Sequence, residues 1–255
     1  MVIFDFDGVL MDSVGEVALT TYNAATGSLC ASLDELPPGV APLFRRNRYH
    51  VQPIGDAITL MDWCLRNRSA AADKRLTPEA YQALVSQSEG ALIDRSNRVF
   101  ATRQRLIDQN PDGWLALHQP FQPLWAELIG RRYAPLVLLT NKNRDATLRL
   151  CRHFGLPVAE ADLYSGDDGV TKIQNMQHIQ ERFGLDRCFF VDDSVKNLKE
   201  LDAAFNTGSK RISLILATWG YIGPADGKTA TEAGYPVFTQ ADLINLLGQP
   251  SQEGE

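Results

Sequence analysis

Met1-Val-Ile-Phe-Asp-Phe-Asp-Gly-Val-Leu-Met-Asp12 opens the chain and sets its architecture. Val2, Ile3 and Phe4 form an apolar run of the kind that fills a buried central strand. The run stops at Asp5, Asp7 and Gly8. A carboxylate is expensive to bury unless it is paired or bound to a metal. Two of them at the end of a core strand therefore ask for a cation or a catalytic task. In open α/β sheets, ligands bind at the carboxyl ends of the strands. A turn in which Asp and Gly merely end the strand is the blander alternative. A calcium loop of EF-hand type is a poor match, because Val9 and Leu10 stand where that pattern needs an oxygen ligand and a glycine.

Beyond Asp12 the rhythm becomes helical. Val14, Val17, Ala18 and Tyr22 recur at helical spacing, and Gly27 supplies a stop. Ile58, Met61, Trp63 and Leu65 suggest a further helix, and Thr77-Pro78-Glu79 is a helix start with cap, proline and acid in order. From Tyr81 to Ile107 the apolar period stays near 3.6, with Gly90 placed to bend or divide the stretch. Asn110-Pro111-Asp112-Gly113 reads as a turn that ends it. Residues from about 15 to 115 thus read as all-helical.

A second rhythm follows. Apolar strands are expected at 136–140, 161–164, 188–192, 211–217 and 235–238, alternating with helices at 124–129, 146–154, 172–183, 194–205 and after Thr239. Strand and helix alternating over short links means a parallel sheet covered by helices on both faces. The first strand needs that sheet as a partner, so the helical segment is an insertion into an α/β domain.

Polar residues gather at the strand ends. Asp5 and Asp7 follow the first strand, Thr140, Asn141 and Lys142 the next, and Asp192, Asp193 and Ser194 a third; Lys172 begins a helix between them. A lone Thr or Asp pair after a strand is commonly a turn former or a cap. The repetition is what argues for a site, because parallel strands place all these ends on one edge. Several carboxylates in one pocket repel each other. A divalent cation relieves that, and an oxygen-only ligand set favours Mg²⁺.

Asp5-Phe-Asp7-Gly-Val-Leu, Leu139-Thr140-Asn141, Lys172 and Val191-Asp192-Asp193-Ser194 resemble, in order and spacing, the four motifs of the haloacid dehalogenase superfamily. Thr218-Trp-Gly-Tyr221 resembles the segment after the last core strand of its phosphoglycolate-phosphatase-like members. The resemblance covers residues 1–14 and 120–247; the segment between matches only in position and class, as a helical cap. It implies an α/β fold: a Rossmann-like doubly wound parallel sheet formed by 1–14 and 118–255, with an inserted all-helical cap domain at 15–117.

The same resemblance implies a phosphatase that works through an aspartyl-phosphate. Asp5 is then the nucleophile and Asp7 the acid, later base. Thr140, Asn141, Lys172 and Gly8 surround the phosphate, and Lys172 stabilises charge on it and on Asp5. Mg²⁺ is held by Asp5, the Asp7 backbone carbonyl and Asp193, with Asp192 as a ligand or as the acid that orients Lys172 or a metal-bound water. The chain departs from the pattern at Asn197, where many relatives carry a second Asp. Asp7 favours phosphoryl transfer, since dehalogenases of the superfamily lack an acid there. The alternatives are a phosphomutase, a phosphonate hydrolase, or a non-catalytic module that binds a phosphorylated metabolite. A phosphonate hydrolase needs a cap lysine, and Lys74 is the only lysine of the insert.

Other features are blander. Arg45, Arg46, Arg48 and His50 read as a solvated helix face, with a grip on a second anionic group as the sharper alternative. His118, His153 and His178 lack ligand spacing. Trp219 and Tyr221 either border the site or pack between helix and sheet, and Lys142 is either a phosphate contact or a surface charge. At 255 residues, 44% hydrophobic and 22% charged, the chain has ordinary globular composition. A net charge of −6 argues against a nucleic-acid partner and leaves a small phosphorylated metabolite as the expected one. Cys30, Cys64, Cys151 and Cys188 form no CxxC pair and read as reduced thiols. No apolar run approaches the roughly 20 residues of a membrane span. Met1 leads at once into the first strand, which leaves no room for a signal peptide, so a cytoplasmic setting is expected.

Overall fold

The structure, a computed structural model, describes residues 1–69, 73–131, 135–185, 187–209 and 211–248. The polar tail expected to fray from Gly248 to Glu255 lies, beyond Gly248, outside the described residues. The chain divides into two compact units, Met1–Asp12 with Pro120–Glu255, and Ser13–Gln119.

In chain order the strands are β1 (Val2–Phe4), β2 (Met11–Asp12), β3 (Gln119–Pro120), β4 (Val137–Leu139), β5 (Leu163–Tyr164), β6 (Cys188–Asp192), β7 (Ile212–Ala217) and β8 (Val237–Phe238). The first unit is built on a six-stranded sheet in the order β5-β4-β1-β6-β7-β8, with every pairing parallel. β1 comes first in sequence yet lies inside the sheet, with Ile3 paired to Val137 on one side and Phe190 on the other. That position matches its apolar composition, because a strand inside a parallel sheet is covered on both faces. Two strands, β5 and β8, start two residues later than expected. Glu160–Asp162 closes a 3-10 turn before β5, and the Tyr235 amide bonds back to the Ala230 carbonyl, so β8 starts later.

The first unit's helices are α7 (Leu124–Arg131), α8 (Arg144–His153), α9 (Lys172–Phe183), α10 (Val195–Phe205), α11 (Asp226–Glu232) and α12 (Gln240–Leu247). Side chains of Asn143, Thr171, Ser194 and Thr239 cap α8, α9, α10 and α12 by accepting from the first-turn amides. One face of the sheet packs Ile3, Val137, Phe190, Leu214 and Leu216 against Met176 and Ile179 of α9, Leu198 and Leu201 of α10, and Ala230 of α11. Phe4, Leu138, Val191 and Ile215 have the opposite parity and are equally buried. Since side chains alternate across a strand, the sheet is covered on both faces, as in a doubly wound fold.

The second unit contains the helices α1 (Val14–Thr26), α2 (Val40–Asn47), α3 (Asp56–Arg66), α4 (Pro78–Ser86), α5 (Leu92–Gln109) and α6 (Pro111–Ala116). Its described residues are helical with turns between. Gly90 adopts φ +74° and separates α4 from α5. Asn110 goes beyond the expectation. Its side chain accepts from the Gly113 amide and Pro111 takes the first helical position, so the Asn-Pro-Asp-Gly tract, which ends α5 as expected, also starts α6. Inside this unit Glu16 is fully buried and receives two hydrogen bonds from Arg103, at 2.7 and 3.0 Å, and one from Thr20 at 2.7 Å. No helix among the described residues is long and apolar enough to cross a membrane.

Candidate active site

Sheet register brings the acids together. Phe4 lies opposite both Leu138 and Val191, so one residue further along Asp5 comes level with Asp192, and Thr140 and Asp193 fall just beyond. The Asp5 amide donates to the Val191 carbonyl at 2.9 Å, which fixes its backbone to β6. Asp5, Asp192 and Asp193 are all buried, and each offers a carboxylate oxygen within 4.8 Å of the others.

Lys172 enters this cluster from the first turn of α9, where Thr171 and Gln174 form a capping box. Its ammonium is 2.6 Å from Asp192 Oδ2 and 3.1 Å from Asp5 Oδ1, over the Phe190 ring at 5.3 Å. Burial alone would push the Lys172 pKa down; the charges of Asp192 and Asp5 outweigh it and hold the group above its ordinary value. Burial pushes Asp5 up to about 7, opposed by Lys172 and assisted by the negative charge of Asp192. Asp5 Oδ1 is buried and makes no hydrogen bond, its contact with Lys172 being an ion pair without hydrogen-bond alignment.

Asp192 and Asp193 differ in what surrounds them. Asp192 is wholly buried, and both its oxygens are engaged: Oδ2 by Lys172 and by Asn197 Nδ2 at 3.0 Å, Oδ1 by the Ser194 amide at 2.8 Å. Asn197, the departure from the family pattern, is thus a partner of Asp192. Asp193 Oδ2 accepts from the Tyr221 amide at 2.6 Å. Two glycines press on it. A Cβ at Gly8, where φ is +86°, would come within 2.0 Å of Asp193 Oδ2, and one at Gly220 within 2.5 Å of Asp193 Cβ. Neither position has room for a side chain.

Asp7 stands apart from the three clustered acids. Lys142 Nζ lies 3.3 and 3.2 Å from its two oxygens, and the Lys142 amide donates to Thr140 Oγ1 at 3.1 Å. Thr140 is buried, whereas Asn141 is exposed and makes no side-chain hydrogen bond to the other expected site residues among those described. Asp5, Lys172, Asp192 and Asp193 are thus brought together with Gly8 against Asp193, Lys142 links Asp7 to Thr140 at the end of β4, and Asn141 is exposed. The acids and lysines carry formal charges of four minus and two plus, an excess that one divalent cation would balance.

Several residues do more than their local sequence suggests. Lys142 is a buried partner of Asp7, so the surface-charge alternative is wrong; its place directly after Thr140-Asn141 was the available signal. The segment Thr218–Tyr221 does more than pack. Trp219 Nε1 donates to the Val9 carbonyl at 2.8 Å and the Tyr221 hydroxyl to Asp12 at 3.1 Å, while the Tyr221 amide holds Asp193. In the helical unit, Arg45 and Arg46 are exposed. Arg48 donates to the Val51 carbonyl and His50 stacks on Tyr81, so the basic run is partly structural. His118 is buried beside Trp114, and His153 and His178 are exposed.

A doubly wound α/β sheet whose carboxyl edge collects three buried aspartates and a buried lysine is the fold and site of an enzyme. Residues 1–204 match the model of the haloacid dehalogenase-like hydrolases, and the chain belongs to that family. None of the curated proteins matches it in sequence. Among solved structures it is similar to a protein of Haemophilus somnus described as a predicted phosphoglycolate phosphatase, at 17% identity, TM-score 0.59 and 97% coverage of each chain. A predicted phosphatase from Clostridium acetobutylicum follows at 15% identity, TM-score 0.59 and 96% coverage of each. Protein Tyrosine Kinase A of Mycobacterium tuberculosis is similar at 20% identity, TM-score 0.54 and 97% coverage of each. At such identities the likeness shows the fold, and the activity has to be argued from the residues.

Proposed function

We propose that this chain is a Mg²⁺-dependent phosphatase that hydrolyses a small phosphate monoester through an aspartyl-phosphate on Asp5. One observation carries the reading: Asp5 ends a central strand beside Asp193, with Lys172 against it and a buried oxygen that lacks a hydrogen bond. Such an oxygen suits a cation ligand or a nucleophile. Solved relatives in fold described as predicted phosphatases support the same reading.

The residues present fit a hard divalent cation, because the donors are carboxylate and carbonyl oxygens. Asp5, Asp193 and the Asp7 carbonyl would hold it, and when bound it supplies charge neutralisation for phosphate and nucleophile together. Asp192 has both oxygens engaged by Lys172, Asn197 and the Ser194 amide, which favours an orienting role over direct ligation. The Asp5 carboxylate attacks phosphorus, and Lys172 remains beside it to offset charge on the transferring oxygens. Asp7 gives a proton to the leaving oxygen, then takes one from the water that cleaves the acyl phosphate. Thr140, Asn141 and the backbone at Gly8 bind the phosphate oxygens, and the helical unit serves as a cap that selects the substrate. Net charge −6 and the free cysteines are consistent with a small metabolite as partner and a cytoplasmic setting.

A phosphonate hydrolase is disfavoured by Lys74. It is exposed, donates to Asn67 Oδ1 at 2.7 Å, and lies over Trp63, a setting unlike that of a Schiff-base lysine. The test is turnover of p-nitrophenyl phosphate and of a panel of metabolite phosphates, with Mg²⁺ and with EDTA. Activity lost in EDTA and in Asp5→Asn supports the phosphatase. No turnover on any ester, together with tight binding of one metabolite, would indicate a non-catalytic module instead.

A further inference from the structure

We infer that Lys142 is a positioning residue for the acid–base group Asp7: it holds that carboxyl clear of the cation-binding acids and aimed for proton transfer. The inference rests on the phosphatase reading above. Three observations lead to it. The Lys142 side chain is only 2% exposed, so its ammonium is committed to the interior. It spans both Asp7 oxygens at 3.2 and 3.3 Å, which fixes the plane of the carboxyl as well as its place. Its own backbone is tied to Thr140 Oγ1 at the end of β4, so the tether is anchored to the sheet.

Asp7 needs such a tether more than its neighbours do. Asp5 and Asp192 share Lys172, and Asp193 is held by the Tyr221 amide and pressed by two glycines. Asp7 follows Asp5 by two residues, on the turn that closes through hydrogen bonds to the Phe6 carbonyl. Its side chain is 23% exposed, the loosest of the four acids. A carboxylate so placed would be drawn to any divalent cation bound by Asp5 and Asp193, because opposite charges attract strongly at short range. A carboxylate that ligates a cation cannot also address the leaving oxygen. The ammonium of Lys142 competes for Asp7 and keeps it outside the three-acid cluster. During the first step, the Asp5–phosphorus bond forms as the phosphorus–oxygen bond to the leaving group breaks. Asp7, protonated in the substrate complex, passes that proton to the leaving oxygen and becomes the carboxylate that pairs with Lys142, which neither gains nor loses a proton.

The experiment compares kcat/KM for phenyl phosphate and p-nitrophenyl phosphate in the wild-type protein, Lys142→Met, Asp7→Asn and the double variant. Phenolate is the poorer leaving group and depends on protonation, whereas p-nitrophenolate departs readily without it. Because kcat/KM reports only steps through release of the phenol, the later base role of Asp7 does not intrude. Misplacing a reacting group by about 1 Å can cost on the order of 10²-fold. The expected result for Lys142→Met is a loss of that order with phenyl phosphate and a much smaller one with p-nitrophenyl phosphate, with no further loss when it is added to Asp7→Asn. Melting curves of each variant show that the fold persists. Equal losses on the two esters, as for a direct phosphate contact, or a loss that multiplies with that of Asp7→Asn, would overturn the inference while leaving the phosphatase reading intact. A wild-type protein inactive on both esters and on the metabolite panel would overturn the phosphatase reading itself.

Discussion

Lys172 and Asp192, twenty residues apart in sequence, are joined by a buried hydrogen bond of 2.6 Å, and the same ammonium lies 3.1 Å from Asp5. One cation thus holds two carboxylates that the sheet register has placed side by side. Replacing Lys172 by Met leaves both acids buried without their counter-charge. Breaking a buried pair from one side costs about 3–5 kcal/mol. Urea unfolding of Lys172→Met should show a loss of that size. A loss below about 1 kcal/mol, typical of an exposed pair, would mean the ammonium is far better hydrated than its burial implies.

Burial raises the Asp5 pKa from 3.8 to about 7, and that sets the sign of a pH effect. A carboxyl whose folded value is raised favours the fold below its unfolded value, and that stability is lost as pH climbs through the folded one. The metal-free protein should therefore lose stability from this group between about pH 4 and 7. A divalent cation removes the penalty by binding the ionised form. Ligand at one hundred times its Kd stabilises by about 2.7 kcal/mol. The melting temperature should rise on adding Mg²⁺, and rise more at pH 7.5 than at pH 5. A shift independent of pH would place the cation away from Asp5.

Gly220 has no spare volume, since a Cβ there would meet the Gly8 carbonyl at 2.3 Å and Asp193 Oδ2 at 2.6 Å. Gly220→Ala should push Asp193 aside. Overpacking of this kind costs about 1–3 kcal/mol, and disturbing the support of a metal ligand costs about 10–100-fold in affinity. Calorimetric titration with Mg²⁺ measures the second effect directly. Unchanged affinity would show that Asp193 is not a ligand.

Much of this was legible in the sequence because the signals were local. Val2–Phe4 is too apolar to be anything but interior, and the acids after it are too polar to be there without a purpose. Thr77 announced its helix through cap, proline and acid in order. Other features depended on contacts no local pattern carries. Lys142 reads equally as a phosphate contact or a surface charge, because nothing near it in sequence marks Asp7, 135 residues away, as its partner. The Tyr221 amide on Asp193 is a backbone contact, and its amino-acid identity carries no trace of it. Asn110-Pro111-Asp112-Gly113 did not reveal the start of α6, because asparagine followed by proline suits a turn and a helix start equally well. The substrate stayed unreadable throughout, since the helical insert resembles the family's caps only in position and class.

Capture of the covalent intermediate bears most directly on Asp5 as the phosphoryl acceptor. Borohydride reduces an aspartyl-phosphate to homoserine, so protein quenched during turnover and treated with it should carry homoserine at position 5 when its N-terminal peptide is sequenced by mass spectrometry. Steady turnover with Asp5 unmodified, or reduction at another residue, would contradict the mechanism.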